Sequence, residues 1–152
     1  MAEGKASKKS NRVLTIAVGI AVLTVAVYVG YLNIPRHVSR LCPEIWQAEL
    51  CEVLYVDKDM ESTTASFEGE GLEGLIEKLD GLSLYPLLGG HGRGGSVVLE
   101  GDAEWHFYFR INGQTAEQSV TVTNHGQVSV GNRIFEVREA DILSLMESIL
   151  TE

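Results

Sequence analysis

Residues 105–113, WHFYFRING, decide the fold of the larger part of this 152-residue chain. Apolar and polar side chains alternate along this stretch, and the apolar set is Trp105, Phe107, Phe109 and Ile111. Because successive side chains of a strand point to opposite faces, one face of this strand is apolar and the other is polar. Asn112-Gly113 then supplies a tight-turn signal. The stretch therefore predicts a strand of an antiparallel sheet that covers a core with one face.

The residues after this strand continue the same pattern. Val120 and Val122 alternate with Ser and Thr on a returning strand, and turns at 124–126 and 131–133 lead into two further strands. The last segment, 140–150, predicts a helix. Its apolar stripe consists of Ile142, Leu145, Met146 and Ile149.

The residues before the strand WHFYFRING predict a hairpin, a helix and a loop. Strands are predicted over 48–57 and 63–67, joined by a charged turn. The helix that follows has an apolar stripe at spacing i, i+3, i+4, i+7, formed by Leu72, Leu75, Ile76 and Leu79. Five glycines fall within 89–95, and ordering so many glycines is entropically unfavourable, so 83–95 is predicted as a loop.

These elements predict an α+β fold, a two-layer sandwich of one antiparallel sheet and two helices in the order ββ-α-ββββ-α. About 100 residues is a usual size for one core. The predicted core consists of Val53, Tyr55, Leu72, Leu75, Ile76, Leu79, Trp105, Phe107, Phe109, Val120, Val122, Val128, Phe135, Ile142, Leu145 and Ile149.

An apolar run at the N-terminus predicts a membrane anchor. Residues Val13 to Leu32 contain no charge, Pro, Asn, Gln or His, and a helix of that length spans about 30 Å, the thickness of a bilayer's hydrocarbon core. A cleaved signal peptide is the main alternative. Its apolar region is typically about 7–15 residues and ends in a small-x-small site, a place that Tyr28 and Tyr31 occupy here. An uncleaved transmembrane helix, with these tyrosines and Trp46 at the outer interface, is the better interpretation.

The distribution of Lys and Arg predicts the orientation. Four such residues precede the apolar run, and only Arg36 and Arg40 closely follow it. Because cytoplasmic flanks carry the excess of Lys and Arg, we expect the N-terminus in the cytoplasm. The predicted organisation is a basic cytoplasmic tail (1–12), a transmembrane helix (13–32), a juxtamembrane stalk (33–43) and an acidic α+β ectodomain (44–152).

Charge divides the chain and excludes one class of partner. Residues 1–40 carry a net charge of +5 and residues 41–152 carry −14, which together give the −9 of the whole chain. Contacts to phosphates need cations, so we expect no binding of nucleic acid by the acidic part. Cys42 and Cys51 are the two cysteines, and outside the cytoplasm a disulfide between them would close a short loop; two unlinked thiols remain the equal alternative.

The polar face of the central strand is the best candidate for a binding surface. His106, Tyr108 and Arg110 are predicted to project from it, with Thr121 and Thr123 beside them on the neighbouring strand. In a two-layer fold that face is open unless something covers it, and it then offers a polar, aromatic-containing surface for a partner or ligand; an ordinary solvated face is the alternative. We expect the double substitution His106→Ala and Arg110→Ala to abolish binding without lowering thermal stability.

Two other segments are weaker candidates. His91 and Arg93 lie in the glycine-rich loop, which could cradle an anion but lacks the Lys-Ser/Thr of a P-loop. Acidic residues from Asp57 to Glu68 match part of the spacing of an EF-hand, but Ser62 stands where Gly is needed and the flanks predict strands. We therefore expect an acidic hairpin tip, no metal site and no cofactor.

The C-terminal pattern resembles a group of bacterial proteins. The strand WHFYFRING, then SVTVTNHGQVSVGNRIFEV and an amphipathic helix, is similar to small exported or membrane-anchored domains of unknown function in Gram-positive bacteria. The resemblance covers about the last 50 residues and implies a bacterial envelope location. It implies no catalytic residues.

The sequence thus predicts a single-pass membrane protein with an extracytoplasmic binding or sensing module, whose partner is an envelope protein or a small ligand. The alternative is an envelope structural or assembly component that acts through its transmembrane helix. A small hydrolase is a third interpretation, but the four histidines are scattered and no Gly-x-Ser-x-Gly elbow is present, so we expect no catalysis.

Overall fold

The computed structural model describes residues 3–91, 103–116, 118–138 and 142–151. Contacts divide the chain into two compact units, Met1–Ile34 and Pro35–Glu152. The division falls close to the end of the apolar run, so the second unit contains all of the predicted sheet.

The first unit is one helix, α1 (Glu3–Leu32). Its segment Val13–Leu32 has a mean hydropathy of 2.4, and none of it is buried. A helix of this length that is apolar all round is typical of a membrane span. By length and composition this helix can cross a membrane, as predicted.

The second unit is an α+β fold, as predicted, with an eight-stranded antiparallel sheet. In spatial order its strands are β2-β1-β4-β6-β7-β8-β3, and β5 pairs with β4. The elements are α2 (Val38–Leu41), a 3₁₀ helix (Pro43–Gln47), β1 (Leu50–Val56), β2 (Ser62–Phe67), α3 (Gly69–Asp80), β3 (Leu84–His91), β4 (Glu104–Ile111), β5 (Gln114–Thr115), β6 (Val120–Thr123), β7 (Gln127–Val130), β8 (Arg133–Val137) and α4 (Ile142–Thr151).

The core forms around β4. Phe107 lies opposite Val53 on β1 and Val120 on β6, and Trp105 stacks on Tyr55 with ring centroids 5.0 Å apart. Helix α3 contributes its predicted stripe of four buried residues, and Ile142, Met146 and Ile149 of α4 join the same cluster. Every residue of the predicted core is in this cluster, with Tyr55 and Leu145 only partly buried.

The segment predicted as a glycine-rich loop begins instead as a strand. Residues Leu84–His91 form β3, which pairs with β8 at the end of the sheet, and residues 92–102 lie outside the described residues. The register shifts between Pro86 and His91. A terminal strand tolerates Pro and Gly because one of its edges makes no ladder hydrogen bonds, so composition alone gave the wrong prediction here.

The predicted stalk is also wrong over most of its length. Arg36 and Leu84 exchange two backbone hydrogen bonds of 2.8 and 2.9 Å. The carboxylate of Asp80, at the end of α3, accepts a hydrogen bond of 2.8 Å from the Ser39 N–H. Val38 is fully buried. Residues 35–43 are therefore part of the folded body, and a four-residue helix is too short to show a periodic pattern in the sequence.

The packing of residues 35–43 against the folded body gives a first test. We expect Val38→Ala to lower the free energy of unfolding of the body by about 2 kcal/mol, because it removes two methyl groups from a closed site. Ile34→Ala, at a 58 % exposed position, is the matched control and should change it little. The measurement is chemical unfolding of the full chain in neutral detergent, followed by near-UV circular dichroism. Equal, small effects of both substitutions would contradict the docking.

Candidate functional site

The polar face of β4 is closed along the first part of the strand. Glu104 is 1 % exposed, and His106 and Thr121 are each 9 % exposed. The face is therefore covered at these residues, and the alternative of an ordinary solvated face is wrong for them. The alternation of apolar and polar residues correctly assigned side chains to the two faces of β4. It could not show that polar residues on the second face are also buried.

The three buried residues form a hydrogen-bonded row. His106 Nε2 lies 3.0 Å from Glu104 Oε2, and His106 Nδ1 lies 3.2 Å from Thr121 Oγ1. Glu104 and His106 are two residues apart on β4, so they lie on the same face. The β4–β6 register places Thr121 directly opposite His106. If Nε2–H of a neutral ring donates to the carboxylate, Nδ1 accepts from the Thr121 hydroxyl. The row satisfies polar groups that would otherwise be buried at a large energetic cost.

In this row, the Thr121 hydroxyl, the His106 imidazole and the Glu104 carboxylate lie in the order of a nucleophile, a base and an acid that orients the base. Such an arrangement can activate a hydroxyl when the hydroxyl reaches a substrate. Here the three residues are at most 9 % exposed, so Thr121 Oγ1 is not presented to a bound molecule. The geometry favours a structural role for Glu104, His106 and Thr121.

The other predicted members of this face are engaged with neighbouring residues. Arg110 Nη2 lies 3.0 and 3.1 Å from the two carboxylate oxygens of Glu52 on β1. The Tyr108 ring is nearly parallel to His106, with centroids 6.3 Å apart. Thr123 Oγ1 accepts a hydrogen bond of 3.2 Å from the N–H of Gln127, the first residue of β7. The structure thus gathers the five predicted residues on one face, where they are held by contacts within the sheet.

The weaker candidates have simpler explanations. The backbone of His91 pairs with Arg133 on β8, and Arg93 lies outside the described residues. Asp57 Oδ1 accepts two hydrogen bonds of 2.8 Å, from the N–H groups of Asp59 and Glu61, so this carboxylate stabilises the predicted hairpin turn. Among the described residues no group of three His, Cys, Asp or Glu side chains could hold a metal ion.

The two cysteines are free, buried thiols in the structure. Burial and the neighbouring Glu44 carboxylate raise the pKa of Cys42 from 9.0 to about 11, and its Sγ lies 3.6 Å from Glu44 Oε1. Burial raises the pKa of Cys51 from 9.0 to about 12. Because the thiolate is the reactive form, both thiols will react slowly with alkylating reagents at neutral pH.

A groove that the sequence analysis missed lies between the 3₁₀ helix and α3. It has a volume of about 420 Å³, within the usual range for ligand sites. The start of α3 contributes Gly69, whose φ of +55° is readily adopted only by glycine. The groove is lined by Trp46, Ala48, Glu49, Gly69, Leu72, Glu73, Ile76 and Glu77.

The groove combines an apolar base with an acidic rim. Leu72 and Ile76 are buried members of the core, and Trp46 is 49 % exposed. The charged residues that line the groove are all acids: Glu49, Glu73 and Glu77. Within the described part of the chain, none of these three forms an ion pair. Sequence reasoning could have found Glu73 and Glu77 as neighbours one turn apart on α3. It had no signal for Trp46, because the fold of residues 35–47 was not recognised.

Comparisons with protein-family models, with curated proteins and with solved structures find no match for this chain.

The buried row gives the second test, and it reverses the earlier expectation for His106. We expect His106→Ala to lower the free energy of unfolding by about 3 kcal/mol, because it removes the imidazole partner of a buried carboxylate. Arg110→Ala removes a half-exposed ion pair and should cost less than about 1 kcal/mol. The measurement is chemical unfolding of each full-length variant. A His106→Ala effect no larger than that of Arg110→Ala would show that the row is not structural.

Proposed function

We propose that this chain is a single-pass membrane-anchored binding module, with its N-terminus in the cytoplasm and its body outside, and that the groove beside α3 is its binding site. One observation carries the proposal: a folded body with a groove lined by three acids follows a helix that can span a membrane. Excess cations before the span support the orientation.

The groove supports binding better than the polar face does. Most residues of the polar face already have partners within the sheet, whereas the groove leaves three carboxylates without an ion-pair partner among the described residues and an indole half exposed. A concave site with an apolar base and a few convergent polar groups is typical of ligand and peptide sites. The proposed partner is an envelope protein or a small ligand, and no catalytic step is proposed.

The third test examines the orientation and the groove together. A cysteine is introduced at the groove rim (Glu49→Cys), and intact cells that produce the protein are treated with a membrane-impermeant thiol reagent that carries a photocrosslinker. We expect the introduced thiol to be labelled from outside, while the parent chain stays unlabelled because its own thiols are buried. Irradiation should then give a covalent adduct with the groove's partner, identified by mass spectrometry.

Matched variants make this test specific. Ser7→Cys, on the cytoplasmic tail, should be labelled only after permeabilisation. Glu61→Cys, at an exposed position outside the groove, should be labelled from outside without giving the same adduct. Adding Trp46→Ala to Glu49→Cys should keep the labelling and lose the adduct.

Two results would contradict the proposal. Labelling of Glu49→Cys only after permeabilisation would place the body in the cytoplasm. An adduct that persists with Trp46→Ala would place binding elsewhere. Replacing residues 13–32 with an unrelated membrane span should leave the adduct unchanged; its loss would favour the alternative of an assembly component that acts through its transmembrane helix.

A further inference from the structure

We infer that the occupant of the groove is a basic, partly apolar segment of a partner protein, which inserts a lysine or arginine side chain. This inference rests on the proposed function and names the class of ligand for the same groove. It follows from the shape of the groove, its charge and the position of Trp46.

The shape favours a long side chain over a flat protein surface. A volume of about 420 Å³ accommodates one or two extended side chains. The lining includes the apolar residues Ala48, Leu72 and Ile76 beside the carboxylates of the rim. Lys and Arg carry long methylene stems that can cover such a surface while their charged ends stay near water. A small inorganic cation would leave the apolar base unused.

The negative charge of the rim favours a positively charged ligand. Glu73 and Glu77 are one turn apart on α3, a spacing at which like charges destabilise a helix. Glu49 adds a third carboxylate from the segment before β1. A cation in the groove relieves this repulsion, and none of the lining residues supplies one.

Trp46 adds a second attraction for the same ligand. Its side chain is 49 % exposed at the edge of the groove. The face of an indole ring attracts ammonium and guanidinium groups, and Trp is the strongest of the aromatic side chains in this interaction. The three carboxylates also argue against the alternative placement of Trp46 among anionic lipid headgroups, because like charges repel there.

Charge complementarity excludes two other occupants. Phosphate-bearing ligands and nucleic acids would meet an acidic rim and an acidic body. A second copy of the body would bring another strongly acidic domain against the groove, since its residues 41–152 alone carry a net charge of −14. A basic segment of a different protein is the occupant that the rim, the base and the indole all favour.

The fourth test measures binding of a defined probe to the full chain in neutral maltoside micelles. The probe is a dye-labelled, capped hexapeptide with two adjacent lysines between leucines, and its control carries acetyl-lysine at both lysine positions. We expect the dilysine peptide to bind, the acetylated peptide to bind at least about tenfold more weakly, and added salt to weaken the dilysine complex. Fluorescence anisotropy gives each Kd.

Matched charge variants separate the groove from the overall charge of the body. Glu73→Gln with Glu77→Gln should raise the Kd for the dilysine peptide at least about tenfold. Glu61→Gln with Glu70→Gln removes the same number of charges at exposed positions outside the groove and should leave the Kd within about twofold. Equal losses in both double variants would overturn the inference, because attraction by the net charge alone would then explain binding.

The remaining outcomes distinguish this inference from the proposed function. If the acetylated peptide binds as tightly as the dilysine peptide and Trp46→Ala abolishes both, the groove binds but the ligand is not cationic. If choline chloride displaces the peptide at equal concentration, the site favours a lipid headgroup, and the inferred partner is wrong. If neither peptide binds, the inference fails; the proposed function then stands or falls with the Glu49→Cys adduct in cells.

Discussion

The burial of β4 on both faces is the constraint on which the body of this protein depends. One face packs Trp105, Phe107 and Phe109 into the core, and the other buries Glu104 against His106. A slip of one residue in the pairing would put the carboxylate and the imidazole into the apolar core and move the aromatic rings to the polar face. The buried polar pair therefore helps to fix the register of β4 against β1 and β6, and with it the order of the sheet.

One wall of the groove is formed by the end of segment 35–49, and this segment is held in place by contacts with the rest of the body. Backbone hydrogen bonds tie Arg36 to Leu84, and Val38 is buried in the same core cluster as α3. The chain then turns through the 3₁₀ helix into β1, which places Trp46 beside α3. The segment before the sheet is thus part of the candidate site, because it forms one wall of the groove.

Much of the fold followed from local pattern in the sequence. The alternation along β4, the i, i+3, i+4 stripe of α3 and the length of the apolar run each have one dominant physical cause, and the structure has the corresponding elements. The failures occur where local pattern and tertiary pairing disagree. The strand β3 contains Pro and Gly yet pairs with β8, and residues 38–47 form elements too short to be periodic.

The candidate site was less accessible to sequence reasoning. Glu73 and Glu77 could be recognised from the sequence as neighbours on one helix, but their proximity to residues 46–49 is a property of the folded chain. The face of His106 was identified correctly as polar, whereas its burial depends on what covers it. Sequence patterning gives the direction of a side chain along a strand and does not give its distance from solvent.

The most direct test of the account is hydrogen exchange of the full chain in nanodiscs of neutral lipid, with and without the dilysine peptide. The account expects slower exchange over 46–49 and 69–77 when the peptide is bound, and unchanged exchange in β7 and β8. Protection confined to the polar face of β4, or no protection at the groove at saturating peptide, would contradict the central claim that this body binds a basic segment beside α3.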